Sequence, residues 1–281
     1  YRKLVTAAVL VSLLLSFLMP ATVARILLLV PIFAAVAERH GLARDSMGYT
    51  GVMLATILAT FQCGTAILPA NAPNLVLAGA AETLYGVQLI HAAFPWAMSP
   101  IPCLPARWVM IVMVSRIGAV PVTMFQERVR FGTFFYIGGI LGLGAVMIET
   151  GLSVAIGNAV LGLFRLEPGA DIANFAVLSL LSTFAGLITT NPSQPALLAP
   201  LAGHFAEATG WPLKTALMTS AIGFSTVILP YPVPPVVVGL QVAHLSVRTA
   251  MRVTVPLAAI SIVALIPLNY VWWRLIGYFG K

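Results

Sequence analysis

The sequence predicts an all-α polytopic membrane protein made of two inverted-type repeats, each holding a re-entrant helical hairpin and a broken transmembrane helix. Three observations lead there. Of the 281 residues 60% are hydrophobic and 8% charged, and the mean hydropathy is +1.00. A soluble domain is roughly 25% charged and could not hide so much apolar surface in one core. The apolar residues fall in runs parted by breaks rich in Pro, Asn, Thr and Gly, and two pairs of these breaks match in the same order along the chain. Such a composition excludes a soluble enzyme, a nucleic-acid-binding protein and a disordered chain. The net charge of +7, from 15 Lys and Arg against 8 Asp and Glu, sits in short basic groups between apolar runs. That is the pattern of the positive-inside rule.

The first repeat is read over 1–118, with a hairpin over 4–40, a broken helix over 46–84 and a helix over 91–115. A basic linker covers 119–130. The second repeat is read over 131–281, with a helix over 131–150, a hairpin over 172–209, a broken helix over 212–245 and a C-terminal helix over 249–278. Crossing a hydrocarbon core of about 30 Å takes about 20 helical residues. The runs 26–37, 75–83, 196–206 and 236–245 are too short to span alone. Each follows a longer run across a break, as in broken helices and hairpins that turn back within the membrane. The run 152–164 leaves the number of crossings between the two hairpins open. Arg39, Arg44, Arg116, Arg128 and Arg130 put their linkers on the cytoplasmic side, whereas 83–105 has no Lys or Arg. The chain opens on Tyr1 with no cleavable-signal pattern, so an N-terminal part is expected to be missing.

The internal match is specific. PATVARILLLVPIFAAVAERHG over 20–41 compares with TNPSQPALLAPLAGHFAEATG over 190–210, with Pro31 on Pro200 and Gly41 on Gly210 at an offset of 169. ILPANAPNLVLAG over 67–79 compares with ILPYPVPPVVVG over 228–239, with Pro69 on Pro230 and Pro73 on Pro234 at an offset of 161. Interrupted helices at corresponding places in two halves point to a secondary transporter with its site at the repeat interface.

A helix that stops inside the membrane bares N–H groups at one end and C=O groups at the other. Such backbone survives only against protein or a water-filled cavity, and its ends suit anions and cations respectively. The first hairpin break, 20–25, and the second, 189–195, combine hydroxyls, an amide and free N–H groups. They make Thr22, Arg25, Thr190, Asn191 and Ser193 candidates for holding a carboxylate or sulfate. The competing reading is a kink satisfied by its own Thr and Ser side chains. For Arg25 the functional readings are anion attraction or a lock on the hairpin tip, against a structural pair with a carbonyl or an acid. In the Pro-rich breaks, 64–74 and 223–235, unwound carbonyls with Thr65, Asn71, Asn74, Ser225 and Thr226 form candidate Na⁺ sites, against a plain Pro kink. Pro235 stands where the first half has Asn74, so the two cation sites need not be equivalent.

Gly138, Gly139, Gly142 and Gly144 read as a close helix-packing face. Cys63 and Cys103 read as inert buried thiols. His91, His204 and His244 lack metal-ligand spacing, and a local pair of His204 with Glu207 is the expectation. Tyr270, Trp272, Trp273 and Tyr278 read as an interfacial aromatic belt, anchored by Arg274 and Lys281. No catalytic constellation is present, so no enzyme is expected.

The hairpin and loop motifs together resemble the divalent-anion/sodium symporter superfamily over most of the chain. The loop GTAILPANAPN is similar to that family's first Pro-rich loop, and STVILPYPVPP resembles its second. The family's Ser-Asn-Thr tip motif, about ten residues before a Pro, falls on Ala21, Thr22 and Val23 and on Thr190, Asn191 and Pro192. The resemblance thereby adds Val23 to the substrate candidates, and Arg25 matches an Arg that some members carry after the motif. The first tip departs in its Ser and Asn positions and the second has Pro192 in place of Thr, which removes side-chain donors from the expected sites. The chain begins at what resembles the first hairpin and has a linker where relatives have a further span, as a partial or reduced member would.

The resemblance implies a Na⁺-coupled symporter of a small anion such as a dicarboxylate or sulfate, held between the two hairpin tips and moved by alternating access. The alternatives are a passive anion channel and a non-transporting fragment or scaffold subunit. The expected partners are the anion, Na⁺ and the lipid bilayer, with a homodimer implied by resemblance alone, no nucleic acid and no cofactor besides Na⁺. The expected location is the cell membrane, crossed several times.

Overall fold

The computed structural model describes residues 1–89, 146 and 149–280. The expected helix over 91–115, the linker, the Gly138 to Gly144 run, His91, Cys103 and Lys281 lie outside the described residues. Among the described residues every regular element is helical. In chain order they are α1 (Arg2–Leu18), α2 (Thr22–Arg39), α3 (Met47–Thr65), α4 (Ala72–Tyr85), α5 (Leu152–Leu163), α6 (Asp171–Ile188), α7 (Ser193–Leu198), α8 (Ala202–Thr209), α9 (Leu213–Ser225), α10 (Pro234–Ala243), α11 (Val247–Ile260) and α12 (Ile266–Leu275). Short 3-10 turns cover Leu68–Ala70 and Ala199–Leu201, and a π-helical segment, Ser261–Leu265, joins α11 to α12.

Two of the described helices are long and apolar enough to cross a membrane: Asp171–Ile188, and the 29-residue stretch Val247–Leu275, whose most apolar 18 residues have a mean hydropathy of 2.0. The helices α5 and α10 are apolar but shorter. Proline sets several of the starts. It is tolerated in a first helical turn, where its missing N–H has no partner to lose. Accordingly α4 carries Pro73 in its first turn, and α10 opens on Pro234 and Pro235. The start of α3 is capped by Ser46, whose hydroxyl accepts from the Tyr49 N–H at 3.1 Å.

The chain forms two compact units that do not follow its two halves. The first holds residues 1–72 and 227–260, and the second holds 73–89, 149–226 and 261–280. In the first unit α3 is buried along almost its whole length, from Tyr49 to Gln62 without a gap. A helix apolar all round belongs in the middle, and α1, α2 and α10 pack against it. The buried face of α1 is Val5, Ala8, Val9, Ser12 and Ser16, at helical three- and four-residue spacing. Its other face shows Leu14 and Phe17 at 64% and 66% exposure, large apolar groups that suit lipid. The Ser12 and Thr60 hydroxyls bond at 3.0 Å between α1 and α3. Gly239 lets α10 come close: a Cβ there would stand 2.8 Å from Ile57 and 3.1 Å from Ile26.

The second unit is built around α9, buried from Thr215 to Ser225 and packed by α6, α7 and α8. The Ser182 hydroxyl donates to the Ser220 carbonyl at 3.0 Å, joining α6 to α9. The same approach needs Gly223, where a Cβ would fall on the Ser182 side chain. On α4, the Tyr85 hydroxyl reaches the carbonyls of Ala199 and Pro200 at 3.0 and 3.1 Å.

The expected C-terminal belt takes a different form. Trp273 is wholly buried and Tyr270 nearly so. Their rings pack on Phe175 at centroid distances of 5.2 and 5.5 Å. Past α12 the chain turns through Gly277 at φ 67°, which brings Phe279 into the same cluster, 5.0 Å from Trp211 and 5.4 Å from Tyr270. Trp211 in turn donates to Asp171 at 2.8 Å, at the start of α6, where a negative charge favours the helix dipole. These aromatics close the end of the second unit.

Candidate functional site

The first hairpin tip is short. Helix α1 ends at Leu18 and α2 starts at Thr22, so the break is Met19 to Ala21, and Arg25 belongs to the first turns of α2. Its side chain is fully buried. The guanidinium donates to the Met19 carbonyl at the end of α1. Its Nη2 lies 3.2 Å from the Thr22 hydroxyl, 3.0 Å from the Ala70 carbonyl and 3.4 Å from the Thr60 carbonyl. Thr22 donates its own hydrogen to the Ala70 carbonyl at 2.9 Å. Of the readings that the sequence leaves open for Arg25, these carbonyl contacts fit both the lock on the tip and the structural pair with a carbonyl. No carboxylate is paired with Arg25 among the described residues, where the ion pair is that of Arg44 with Glu38.

Two further features belong to the same unit. Gly64 on α3 leaves the space that the guanidinium fills, since a Cβ there would stand 2.5 Å from Nη2 and 3.5 Å from the Thr22 hydroxyl. Asn71, at the end of the 3-10 turn, is 1% exposed, yet neither its Oδ1 nor its Nδ2 has a hydrogen-bond partner. The Arg25 Nε is likewise buried and unpartnered. Buried amide groups without partners cost about 1–3 kcal/mol each, so such a group in a native fold calls for a reason. Val23, half-buried on α2, brings no polar side chain to this tip.

In the second unit α6 ends at Ile188 and α7 starts at Ser193, so the break is Thr189 to Pro192. The Thr190 and Ser193 hydroxyls bond to each other at 2.6 Å. Asn191 is buried and donates to the Phe224 carbonyl, near the end of α9, at 2.7 Å. Gln194 is 1% exposed and donates to the Ser182 hydroxyl at 3.0 Å and to the Ser182 carbonyl. Gln194 is not among the sequence candidates. The signal for it is the offset of 169, which sets Gln194 on Arg25 as it sets Asn191 on Thr22.

The hydroxyls expected to serve Na⁺ donate to carbonyls three or four residues back: Thr65 to the Gln62 carbonyl at 2.7 Å, and Ser225 and Thr226 to the Ile222 carbonyl at 2.8 and 3.2 Å. A hydroxyl that donates is also able to accept. Asn71 lies in the first unit and Asn74, wholly buried, in the second. Among the described residues no cluster of three or more His, Cys, Asp or Glu is placed to hold a metal ion. His204 makes no pair with Glu207. Its ring lies instead against α5, where a Cβ on Gly157 would stand 3.1 Å from it, and its Nδ1 is buried without a partner.

No protein-family model matches the chain. A protein of Cupriavidus necator named "Membrane protein" is similar to it, 22% identical over 351 aligned positions that take in 99% of this chain and 68% of that one. This likeness, the composition and the two helices of crossing length agree on a helical membrane protein.

Proposed function

We propose that the protein is a secondary transporter of a small anion such as a dicarboxylate or sulfate, working by alternating access in the cell membrane. In this reading it is a member of the divalent-anion/sodium symporter superfamily. Helices α1–α2 and α6–α8 are its re-entrant hairpins, and the tip groups of Thr22, Arg25, Thr190, Asn191 and Ser193 serve the anion. Na⁺ is the coupling ion, with the Ser225 and Thr226 oxygens as its ligands in the second half.

One observation carries the proposal: a buried arginine beside a helix break, paired with no carboxylate among the described residues, in the same unit as a buried amide whose donor and acceptor are both uncommitted. A buried positive charge without a counter-charge is costly even when hydrogen-bonded and rare in membrane segments, where it marks an ion or substrate path. An anion offsets that charge. The repeat reading draws support from paired contacts. Thr22 and Asn191, at the offset of 169, each donate to a carbonyl in or beside the Pro-rich break of their own half. Ser12 with Thr60 and Ser182 with Ser220 join the first hairpin arm to the central helix in each unit.

The test is uptake of labelled succinate, citrate and sulfate into proteoliposomes. The proposal expects saturable uptake of at least one above empty liposomes. Asn191→Leu, which removes the bond to the Phe224 carbonyl, should abolish uptake while membrane insertion persists. Currents that do not saturate would point to a pore instead, and undiminished uptake by the Asn191 variant would remove the tip from the site.

A further inference from the structure

We infer that the Arg25 guanidinium is a built-in cation that occupies the first Pro-rich break in place of an exchangeable Na⁺, so that any coupling ion binds in the second half alone. The donor set is the reason. Arg25 meets the Met19, Thr60 and Ala70 carbonyls and the Thr22 hydroxyl, oxygens brought together from the end of α1, the start of α2, the later turns of α3 and the 3-10 turn. Hard cations take oxygen sets of this kind, carbonyls and hydroxyls included. The guanidinium is permanently protonated and therefore supplies one positive charge at that place whatever the salt. Carbonyls that would face Na⁺ are spent on its N–H groups.

Space and pairing point the same way. Gly64 leaves no Cβ where Nη2 lies, and a methyl group there would come within 2.5 Å of it. At the matching place in the second half stands Gln194, which is neutral and bonds to Ser182. The first half thus carries its charge in the chain and the second does not. The candidates Thr65 and Asn71 then serve the anion or the fold rather than a metal ion. This deepens the proposed carrier and rests on it only for the transport measurement below; the binding measurement stands without it.

The test compares thermal unfolding of the purified wild type, Arg25→Gln, Arg25→Ser and Arg25→Lys in NaCl, in choline chloride and in low millimolar guanidinium chloride at matched ionic strength. The neutral variants should melt below the wild type and regain stability saturably with Na⁺ or guanidinium, beyond any response of the wild type. Arg25→Lys, which keeps a tethered charge, should show no such gain. Neutral variants that purify only with guanidinium supplied would also support the inference. Neutral variants that respond to Na⁺ and guanidinium as the wild type does would overturn it. So would neutral variants that cannot be purified even with guanidinium, or a gain in Arg25→Lys equal to theirs. In proteoliposomes, uptake by Arg25→Gln should depend on Na⁺ more steeply than uptake by the wild type. If the wild type moves no anion, the carrier reading fails, while the unfolding comparison still decides the role of Arg25.

Discussion

Asn71 separates stability from function at the scale of one residue. Its amide is buried with both polar atoms unpaired, so the fold carries a desolvation cost with nothing in return. Replacing such a group by an apolar one of similar shape is close to neutral or stabilising. Asn71→Leu should therefore leave the unfolding temperature unchanged or raise it. If the amide serves the anion, the same variant should lose uptake by about tenfold or more, the equivalent of ~1.4 kcal/mol. A marked fall in unfolding temperature would show instead that Asn71 is a packing residue. Neighbouring Thr22 differs, because its hydroxyl is committed to the Ala70 carbonyl. Sequence alone makes Thr22 an anion candidate and Asn71 a Na⁺ candidate, without showing which side chain is already committed. Only the bonds made by neighbours distant in the chain tell them apart.

Among the elements, α12 and the turn after it show where residue type misleads. Aromatics near a helix end read as a belt at the lipid surface, yet Trp273 is wholly buried against Phe175 and close to Phe279, while Trp272 is only half-buried. Trp273→Ala should cost about 3–5 kcal/mol, the usual range for a large aromatic removed from a core. Trp272→Ala should cost well under half of that. Denaturation of the purified protein, followed by the loss of near-UV ellipticity, measures both. Equal costs would restore the belt. The helix breaks were more legible, because proline and the Thr-Asn segments act locally: α4 and α10 start where Pro73 and Pro234 allow. The first break is shorter than the polar segment 20–25, since Thr22 and Arg25 are compatible with a first helical turn and α2 takes them in.

For the whole molecule, outward-facing apolar side chains set the behaviour. Ile188 is 85% exposed and Val263 77% exposed, one on each of the two helices of crossing length. Such groups on long helices favour hydrocarbon over water. The protein should stay in the membrane pellet through an alkaline carbonate wash and enter solution only with detergent; release by carbonate would refute an integral location. Helical class and membrane character follow from composition and run length, because the transfer of apolar surface and the demand for internal backbone hydrogen bonds depend on residue type alone. The pairing of breaks at offsets of 169 and 161 could also be read directly from the chain. Tertiary structure decided that residues 227–260 join the first unit and 73–89 the second. It also decided that Arg25 is bound by carbonyls of Met19, Thr60 and Ala70. The physical reason is range: hydrophobicity and proline act on their own segment, whereas a buried charge is settled by whichever distant oxygens the packing of central helices brings to it.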